Sequence, residues 1–276
     1  MLPDIQQTKP QIRSGIKRVG VSQVELPFRI LARNGSSSIP QILATAEMVC
    51  DLDDMTRGIS MSRFLRTIQT YIHIPLRRTT LELILKDFKK QLETETVSLK
   101  MNFKYPLYKK SPVSNNGFYQ FYNCSFRSEF SNNEFKFYES VRIQYAAYCP
   151  CSAALCHEGK YGYPHNQRAF ADVLIQANPQ KYMWLEDIID LIENSVQTIP
   201  YPIIKRSDEK FMAELAKSNT QFVEDAIRKI SKDLDSTKGI LDWYVQCTHE
   251  ESIHTSDAIA INWKGLENGF NEKTYI

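Results

Sequence analysis

The stretch VSLKMNFKY, residues 97–105, alternates apolar and polar residues without a break. Successive side chains of a β-strand point to opposite faces, so this alternation predicts a strand with one face in a core and one in water. A strand of this kind belongs to a sheet that packs one face against other elements. The flanking segments predict what those elements are.

Two helical patterns precede this strand. The first runs over residues 61–72 and the second over residues 81–92. In the second pattern Leu83 falls off the apolar stripe, and Thr79 and Thr80 are candidate caps at its start. Apolar residues at helical spacing form the two stripes: Met61, Phe64, Leu65, Ile68 and Ile72, then Leu81, Ile84, Leu85, Phe88 and Leu92.

Strands are predicted on both sides of these helices. Residues 16–33 and 38–52 are apolar and β-branched, and Asn34-Gly35 between them marks a turn. Residues 118–130 predict one more strand after the alternating segment. The first half of the chain therefore has the order β-β-α-α-β-β.

The same order returns after the polar run at residues 131–133. Strands are predicted near 135–147 and 168–177, helices near 185–196, 208–217 and 222–234, and closing strands at 239–249 and 257–264. Hairpins at both ends with helices between them predict an α+β fold with antiparallel sheets and helices on one face. We therefore predict two tandem β-β-α-α-β-β units, one over residues 1–132 and one over residues 133–276.

Composition excludes several classes of protein. The 276 residues (32.0 kDa) are 42% hydrophobic and 24% charged, as in ordinary globular proteins, and the net charge is +2. A dedicated nucleic-acid binder carries a larger basic excess, and no apolar run approaches 18 residues, so we expect neither nucleic acid nor membrane as a partner. The first ten residues lack a secretory pattern. We expect a cytoplasmic protein whose six cysteines are thiols or metal ligands.

One segment, residues 148–168, concentrates metal-ligating side chains. Cys149, Cys151, Cys156, His157 and His165 fall within it. Four such ligands are what a tetrahedral zinc site takes, although the spacing matches no standard pair of zinc knuckles. A local site of three cysteines and His165 is one interpretation. The other is that some of these cysteines are small buried apolar groups.

Two further stretches hold ionisable residues. Residues 205–210 (KRSDEK) are typical of a charged helix start, where acidic side chains are favourable. Residues 249–257 (HEESIHTSD) are typical of a polar turn between the last two strands. Either stretch could also bring side chains to the cysteine-rich segment.

Taken together, short motifs in a fixed order along nearly the whole chain resemble the type IB GTP cyclohydrolases. Each motif is weak alone, but the ordered set is specific. The motifs are PDIQ at 3–6, RGISMSRF at 57–64, KKSPVS at 109–114, CPCS at 149–152, HNQR at 165–168, KRSDEK at 205–210, FVED at 222–225 and ESIH at 251–254.

The resemblance implies a fold, an activity and a metal. The family has a tunnelling fold built from two β-β-α-α-β-β units, and it hydrolyses GTP to 7,8-dihydroneopterin triphosphate and formate. Its one divalent ion per site (Zn, Mn or Fe) implies Cys149, His165, Glu209 and His254 as ligands and catalytic residues. An ion of this kind lowers the pKa of bound water and so makes hydroxide available near neutral pH.

The resemblance also implies how the substrate is held. Glu224 falls on the family's guanine anchor, and a carboxylate can accept two hydrogen bonds from the N–H edge of guanine. Cations that suit a triphosphate are Arg63, Arg168, Lys205 and Arg206, with Lys109 and Lys110 as further candidates. The family's sites lie at subunit interfaces, which implies a homo-oligomer, and we expect a tetramer.

Three positions depart from the family pattern. The segment between Ser152 and Pro164 is longer by about four residues, Ser256 stands where a second histidine is common, and Ser207 replaces a proline. The missing histidine removes a proton-transfer group or a substrate contact. A divergent relative that binds a purine, a pterin or a metal without turnover, or that makes a cyclic phosphate, is therefore the alternative.

Overall fold

The computed structural model describes residues 5–33, 41–158, 162–181, 183–267 and 269–274. Within them the chain forms eight strands, which follow chain order in an antiparallel sheet, and six α-helices. The α+β class predicted from the sequence is confirmed. The strands are β1 (Ile16–Phe28), β2 (Ile42–Leu52), β3 (Val97–Lys110), β4 (Gly117–Ser131), β5 (Glu134–Tyr148), β6 (Asn166–Ala177), β7 (Ile240–Glu250) and β8 (Ala258–Trp263).

The helices divide into a pair between β2 and β3 and four more after β5. They are α1 (Met61–Gln69), α2 (Arg78–Leu92), α3 (Pro150–Glu158), α4 (Leu185–Val196), α5 (Arg206–Ser218) and α6 (Val223–Ser236). Among the described residues, no helix combines the length and the apolar character needed to cross a bilayer. The chain divides into two compact units, which are described separately.

The first unit contains the chain up to Lys104 together with Cys124–Tyr138. Its core follows the predicted alternation, since every second residue of β3 from Val97 to Phe103 is buried. The predicted stripe of α2 is buried. In α1 only Phe64 and Ile68 are buried, because Met61 and Leu65 face outward and Ile72 lies beyond the end of the helix. The rings of Phe64 and Phe88 meet edge to face at 5.3 Å. Leu83 is exposed, as its position off the stripe predicts.

Of the two hairpin turns considered in this unit, the structure describes only the one between β4 and β5. The expected Asn34-Gly35 turn between β1 and β2 lies outside the described residues. The β4–β5 turn is formed by Asn132 and Asn133, which both adopt positive φ angles, as a tight hairpin turn requires. The predicted boundary after residue 132 falls in this turn.

The expected caps of α2 are wrong. The helix begins at Arg78, so Thr80 lies inside its first turn. The Thr80 side chain is buried, and its hydroxyl donates to the carbonyl of Pro75 at 2.9 Å. It therefore ties the helix to the preceding loop.

The second unit contains Tyr105–Asn123 and the chain from Glu139 onward. Here β6 pairs with β5 on one side and β7 on the other, and β8 completes the edge. Buried apolar stripes on α4 and α6 contact each other, and α6 packs on β7 and β8. This arrangement fixes the ends of β5, β6 and β7, where the motifs of the sequence converge.

The sequence analysis missed α3. Its first residue is Pro150, which suits the first position of a helix because that position needs no N–H donor. The following Ala153-Ala154-Leu155 favour a helix as well. The cysteines of the same segment are also typical of metal ligands, so the sequence pattern here supports two different interpretations.

Candidate functional site

A pocket with a volume of about 600 Å³ opens in the second unit. This volume is within the range of small-molecule sites. Its walls come from the start of α3, the start of β6, the start of α6 and the connection from β7 to β8. The lining residues are Cys149, Cys151, Ser152, Leu155, His165, Gln167, Gln221, Phe222, Val223, Glu224, His249, Glu251, Ile253, His254, Ser256, Asp257 and Ala258.

Cys149 and His165 are brought together by Ser152. The backbone N–H of Cys149 donates to the carbonyl of His165 at 3.2 Å, which extends the β5–β6 pairing by one step. The hydroxyl of Ser152 accepts the backbone N–H of His165 at 3.2 Å, and the Ser152 N–H lies 3.5 Å from the Cys149 sulfur. The first turn of α3 therefore holds both candidate ligands in place.

The β7–β8 connection supplies the opposite wall, including His254. The hydroxyl of Ser252 lies 3.3 Å from Nδ1 of His165, and the Gln167 amide donates to Glu251 at 2.9 Å. These two contacts join the connection to the start of β6. They place His254 and His165 in one pocket although they are far apart in sequence.

Glu224 lines the same pocket from the first turn of α6. The helix start is capped by Asp225, whose carboxylate accepts the N–H of Phe222 at 3.1 Å. Phe222 and Val223 add apolar lining beside Glu224. A carboxylate next to apolar side chains is suited to an aromatic ring with N–H donors along one edge.

The structure also shows a pocket residue that the sequence analysis left without a role. His249 lies inside β7, is 1% exposed and lines the pocket. Its Nε2 is 2.9 Å from the hydroxyl of Tyr145, and the two rings meet edge to face. Burial lowers the pKa of His249 to about 4, although the charge of Glu224 acts in the opposite direction. The imidazole is therefore neutral at pH 7.

Sheet register explains how these two side chains meet. Tyr145 pairs with Ala169, and Ala169 pairs with His249, so the three residues form one row across β5, β6 and β7. Residues in such a row point to the same face of the sheet. Because Ala169 has only a methyl group, Tyr145 can reach across it. A histidine at an inward position of a strand was the available sequence signal.

Glu209 lies apart from the lining residues. It belongs to the first turn of α5, its side chain is 52% exposed, and its carboxylate contacts Arg206 at 3.3 Å. Within the part of the chain that the structure describes, no three His, Cys, Asp or Glu side chains are grouped closely enough to hold a metal ion. Three of the four implied ligands, Cys149, His165 and His254, nevertheless share the pocket.

The start of α5 is held by Asp208, the residue before Glu209. Asp208 is fully buried. Its carboxylate accepts hydrogen bonds from the N–H groups of Val113, Ser114 and Lys205 at 2.7–2.9 Å and from the Ser114 hydroxyl at 2.6 Å. Burial opposes ionisation, but these bonds prevail and lower the pKa of Asp208. The KKSPVS and KRSDEK motifs therefore form one structural unit.

The candidate cations do not converge in this pocket. Lys109 makes an ion pair with the buried carboxylate of Glu193, beside Tyr122. Arg168 is exposed and follows the pocket residue Gln167, so it points to the other face of the strand. Lys205 and Lys110 are exposed, and the side chain of Arg206 is 98% exposed. Arg63 belongs to the first unit, where it donates to the carbonyl of Gln91 at 3.1 Å.

The local zinc site considered from spacing has no support in the described residues. Cys151 lines the pocket from α3, whereas Cys156 is half-buried and is not among the lining residues. The side chain of His157 lies outside the described part. The cysteine-rich segment thus contributes Cys149 and Cys151 to the pocket and forms no metal cluster by itself among these residues.

Comparison with solved structures places this protein in a class of α+β folds. Its structural neighbours include the uricase of Arthrobacter globiformis, with a TM-score of 0.56 over 93% of this chain and 96% of that chain. The sequence identity is only 7%, so this likeness concerns the α+β fold alone.

The comparison of sequences then shows the family to which the chain belongs. The chain belongs to the family described as type I GTP cyclohydrolase folE2, whose model matches residues 2–260. GTP cyclohydrolase FolE2 of Thermosipho africanus is 33% identical over 257 residues, covering 93% of this chain and 96% of the relative's own chain. The FolE2 of Fervidobacterium nodosum is 33% identical over 261 residues, covering 94% and 96%.

Proposed function

We propose that this protein is a GTP cyclohydrolase that hydrolyses GTP to 7,8-dihydroneopterin triphosphate and formate for folate biosynthesis. The observation that carries the proposal is the pocket of the second unit. It joins Cys149, His165 and His254 to the carboxylate of Glu224 in a chain of the FolE2 family. These groups suit the hydrolytic opening of a purine ring at C8.

Glu224 holds the purine base in this proposal. Its carboxylate accepts hydrogen bonds from N1–H and the 2-amino group of guanine, which no other common purine offers together. Phe222 and Val223 cover the base and exclude water from it. The triphosphate then extends out of the pocket toward solvent.

A divalent ion fits the chemistry of the donor set. A thiolate and two imidazoles are ligands that Zn, Fe and Mn all accept, and affinity alone discriminates poorly among such ions. We propose Cys149, His165, His254 and Glu209 as the ligands of one ion. When bound, the ion supplies Lewis-acid chemistry by lowering the pKa of water.

The chain's own groups prepare this site. Ser152 fixes the backbone of His165 next to Cys149, and Ser252 orients the His165 imidazole through Nδ1. A hydrogen bond to one ring nitrogen leaves Nε2 for the ion. His254 and Glu209 are suited to hold and move a proton during ring opening and reclosure.

The exposed cations and Glu209 support an oligomeric enzyme. We propose that Arg63, Arg168, Lys205 and Arg206 bind the triphosphate and that the two units of the chain are tandem tunnelling-fold units that assemble as a homotetramer. In such an assembly, side chains exposed on one chain can serve the pocket of a neighbour. The exposure of Arg206 and Glu209 on α5 is consistent with this role.

Activity is tested by incubating the purified protein with GTP and Mn²⁺, Fe²⁺ or Zn²⁺ and measuring fluorescent oxidised neopterin. We expect product with at least one ion. Cys149→Ala should abolish product and lower the bound metal, whereas Cys156→Ala, half-buried on α3 and outside the pocket lining, should keep both. Loss of metal in Cys156→Ala with retention in Cys149→Ala would overturn the ligand assignment.

One residue of the pocket, Ser256, is the reason to consider a second candidate product. Ser256 lines the pocket where the family commonly has a histidine. Removal of that group can slow the later proton transfers or leave a cyclic phosphate as product, or leave a protein that binds purine without turnover. Mass spectrometry of the product mixture separates these outcomes, and Ser256→His should shift any such product toward 7,8-dihydroneopterin triphosphate.

A further inference from the structure

One ring nitrogen of His249 has a side-chain partner. The hydroxyl of Tyr145 lies 2.9 Å from His249 Nε2, and Cys247 stands two residues before His249 on the same face of β7. Burial raises the pKa of Cys247 to about 12, so the thiol keeps its hydrogen. Because an imidazole nitrogen is a stronger acceptor than sulfur, the arrangement in which the Tyr145 hydroxyl donates to Nε2 makes the better use of that hydroxyl. A neutral imidazole that accepts at Nε2 carries its hydrogen on Nδ1.

The position of His249 in the pocket lining makes its Nδ1 hydrogen a candidate donor to a ligand. Among the described residues, Tyr145 is the side-chain hydrogen-bond partner of the imidazole, and it engages only Nε2. The ring lines the pocket that Glu224 also lines, and the two are close enough for the carboxylate charge to act on the imidazole. The pocket therefore holds a neutral N–H donor beside an acceptor that carries a charge.

This pair matches one edge of a 2-amino-6-oxopurine. Such a base presents two adjacent N–H donors and then, at position 6, a carbonyl acceptor. Glu224 accepts from the donors, and a neighbouring N–H donor is required for the carbonyl. A 6-aminopurine has an amino group at that position, which would leave two donors facing each other unpaired.

We propose that His249 is a specificity-determining residue that donates its Nδ1 hydrogen to the 6-oxo group of the purine, with Tyr145 as the positioning residue that fixes this donor. The inference rests on the proposed function, because it assumes that Glu224 holds the base. It adds His249, on the strand β7, to the carboxylate of Glu224 as a second group that recognises the base.

Base analogues in equilibrium binding experiments test the inference. The full chain is purified and treated with chelator, so that turnover does not compete with binding measured by calorimetry. 6-Thioguanosine triphosphate keeps both N–H groups of guanine but offers sulfur, a weak acceptor, at position 6. Inosine triphosphate keeps the 6-oxo group and lacks the 2-amino group.

We expect the wild-type protein to bind GTP about tenfold tighter than the 6-thio analogue, as one hydrogen bond allows. In His249→Ala this preference should fall to within about twofold, because the donor is gone. Tyr145→Phe should also reduce the preference, since the imidazole can then carry its hydrogen on either nitrogen. Glu224→Gln is the matched control: it should lose the preference for GTP over inosine triphosphate and keep that over the 6-thio analogue.

The outcomes are distinguishable. A purely structural role for His249 would weaken all three ligands by the same factor, so an unchanged ratio of GTP to 6-thio affinity in His249→Ala overturns the inference. If that variant does not fold, the same ratio in Tyr145→Phe decides. If the wild-type protein shows no preference for GTP over ATP, the proposed function itself fails.

Discussion

At the scale of single residues, a buried neutral histidine has a cost that depends on pH. The pKa of His249 in the folded protein is about 4, below its ordinary value near 6.5, because the ring is buried. Between these values the unfolded chain binds a proton that the folded chain does not. Stability therefore rises with pH across this window and is lost as the pH falls through it.

We predict that His249→Asn removes this pH dependence. The loss of unfolding free energy between pH 7 and pH 5 should be smaller in the variant than in the wild-type protein by roughly 1–2 kcal/mol. Urea denaturation at the two pH values measures the difference. His73, which is exposed on the loop after α1, provides the control, and His73→Asn should leave the wild-type slope unchanged.

At the scale of elements, α5 depends on one carboxylate. Asp208 accepts three hydrogen bonds from the loop at residues 113–114 and a fourth from the Lys205 N–H at the helix start, and its lowered pKa shows that they favour the charged form. Since the folded pKa lies below the unfolded one, this contribution is present above about pH 4 and is lost as the pH falls further. Glu209 is the next residue, so the same bonds position it.

We predict that Asp208→Ala lowers the denaturation midpoint more than Asp225→Ala does. Both residues cap a helix, but Asp225 is partly exposed and accepts one backbone N–H at the start of α6, whereas Asp208 is buried and leaves several donors unpaired when removed. The midpoints in urea at pH 7 give the comparison. Equal shifts would show that the loop contacts add nothing to the cap.

The helix α2 illustrates how periodicity assigns burial. Phe88 is fully buried against Phe64, while Leu83 on the same helix is 54% exposed. We predict that Phe88→Ala lowers the free energy of unfolding by about 3–5 kcal/mol, because it removes a ring and leaves a cavity. Leu83→Ala should change it by less than about 0.5 kcal/mol. Chemical denaturation of both variants checks the stripe directly.

At the scale of the whole molecule, the proposed ligand Glu209 is exposed and lies apart from the pocket of its own chain. In a symmetric oligomer, one chain can complete the site of its neighbour. We predict that Cys149→Ala and Glu209→Ala are each inactive alone and regain activity when they are mixed and reassembled. Roughly a quarter of the sites would then be intact, because random mixing of two chains gives that fraction.

The measurement is the neopterin yield of the mixture against each variant alone. Sedimentation of the wild-type protein gives the number of 32.0 kDa chains in the assembly. Mixing Cys149→Ala with His165→Ala is the control, since both residues belong to one pocket of one chain and the mixture should stay inactive. Activity in the control but not in the test mixture would contradict the shared site.

Much of the fold could be predicted from the sequence because the patterns involved are local. Alternation over residues 97–105 and the stripe of α2 depend only on strand and helix periodicity, and both are confirmed. The helix α3 was missed although Pro150 signals its start. The assignment to the GTP cyclohydrolase family is confirmed as well, since ordered motifs are a property of the sequence.

The sequence by itself determined the order of the strands and of every helix except α3, the buried faces of β3 and α2, and the family. Only the tertiary structure decided that Tyr145, Ala169 and His249 form one row, that Asp208 binds the loop at 113–114, and that Lys109 is paired with Glu193. The physical reason is that periodicity specifies which face a residue occupies, whereas strand register and helix packing specify which residues meet on that face. Which side chains meet in the pocket depends on the second property.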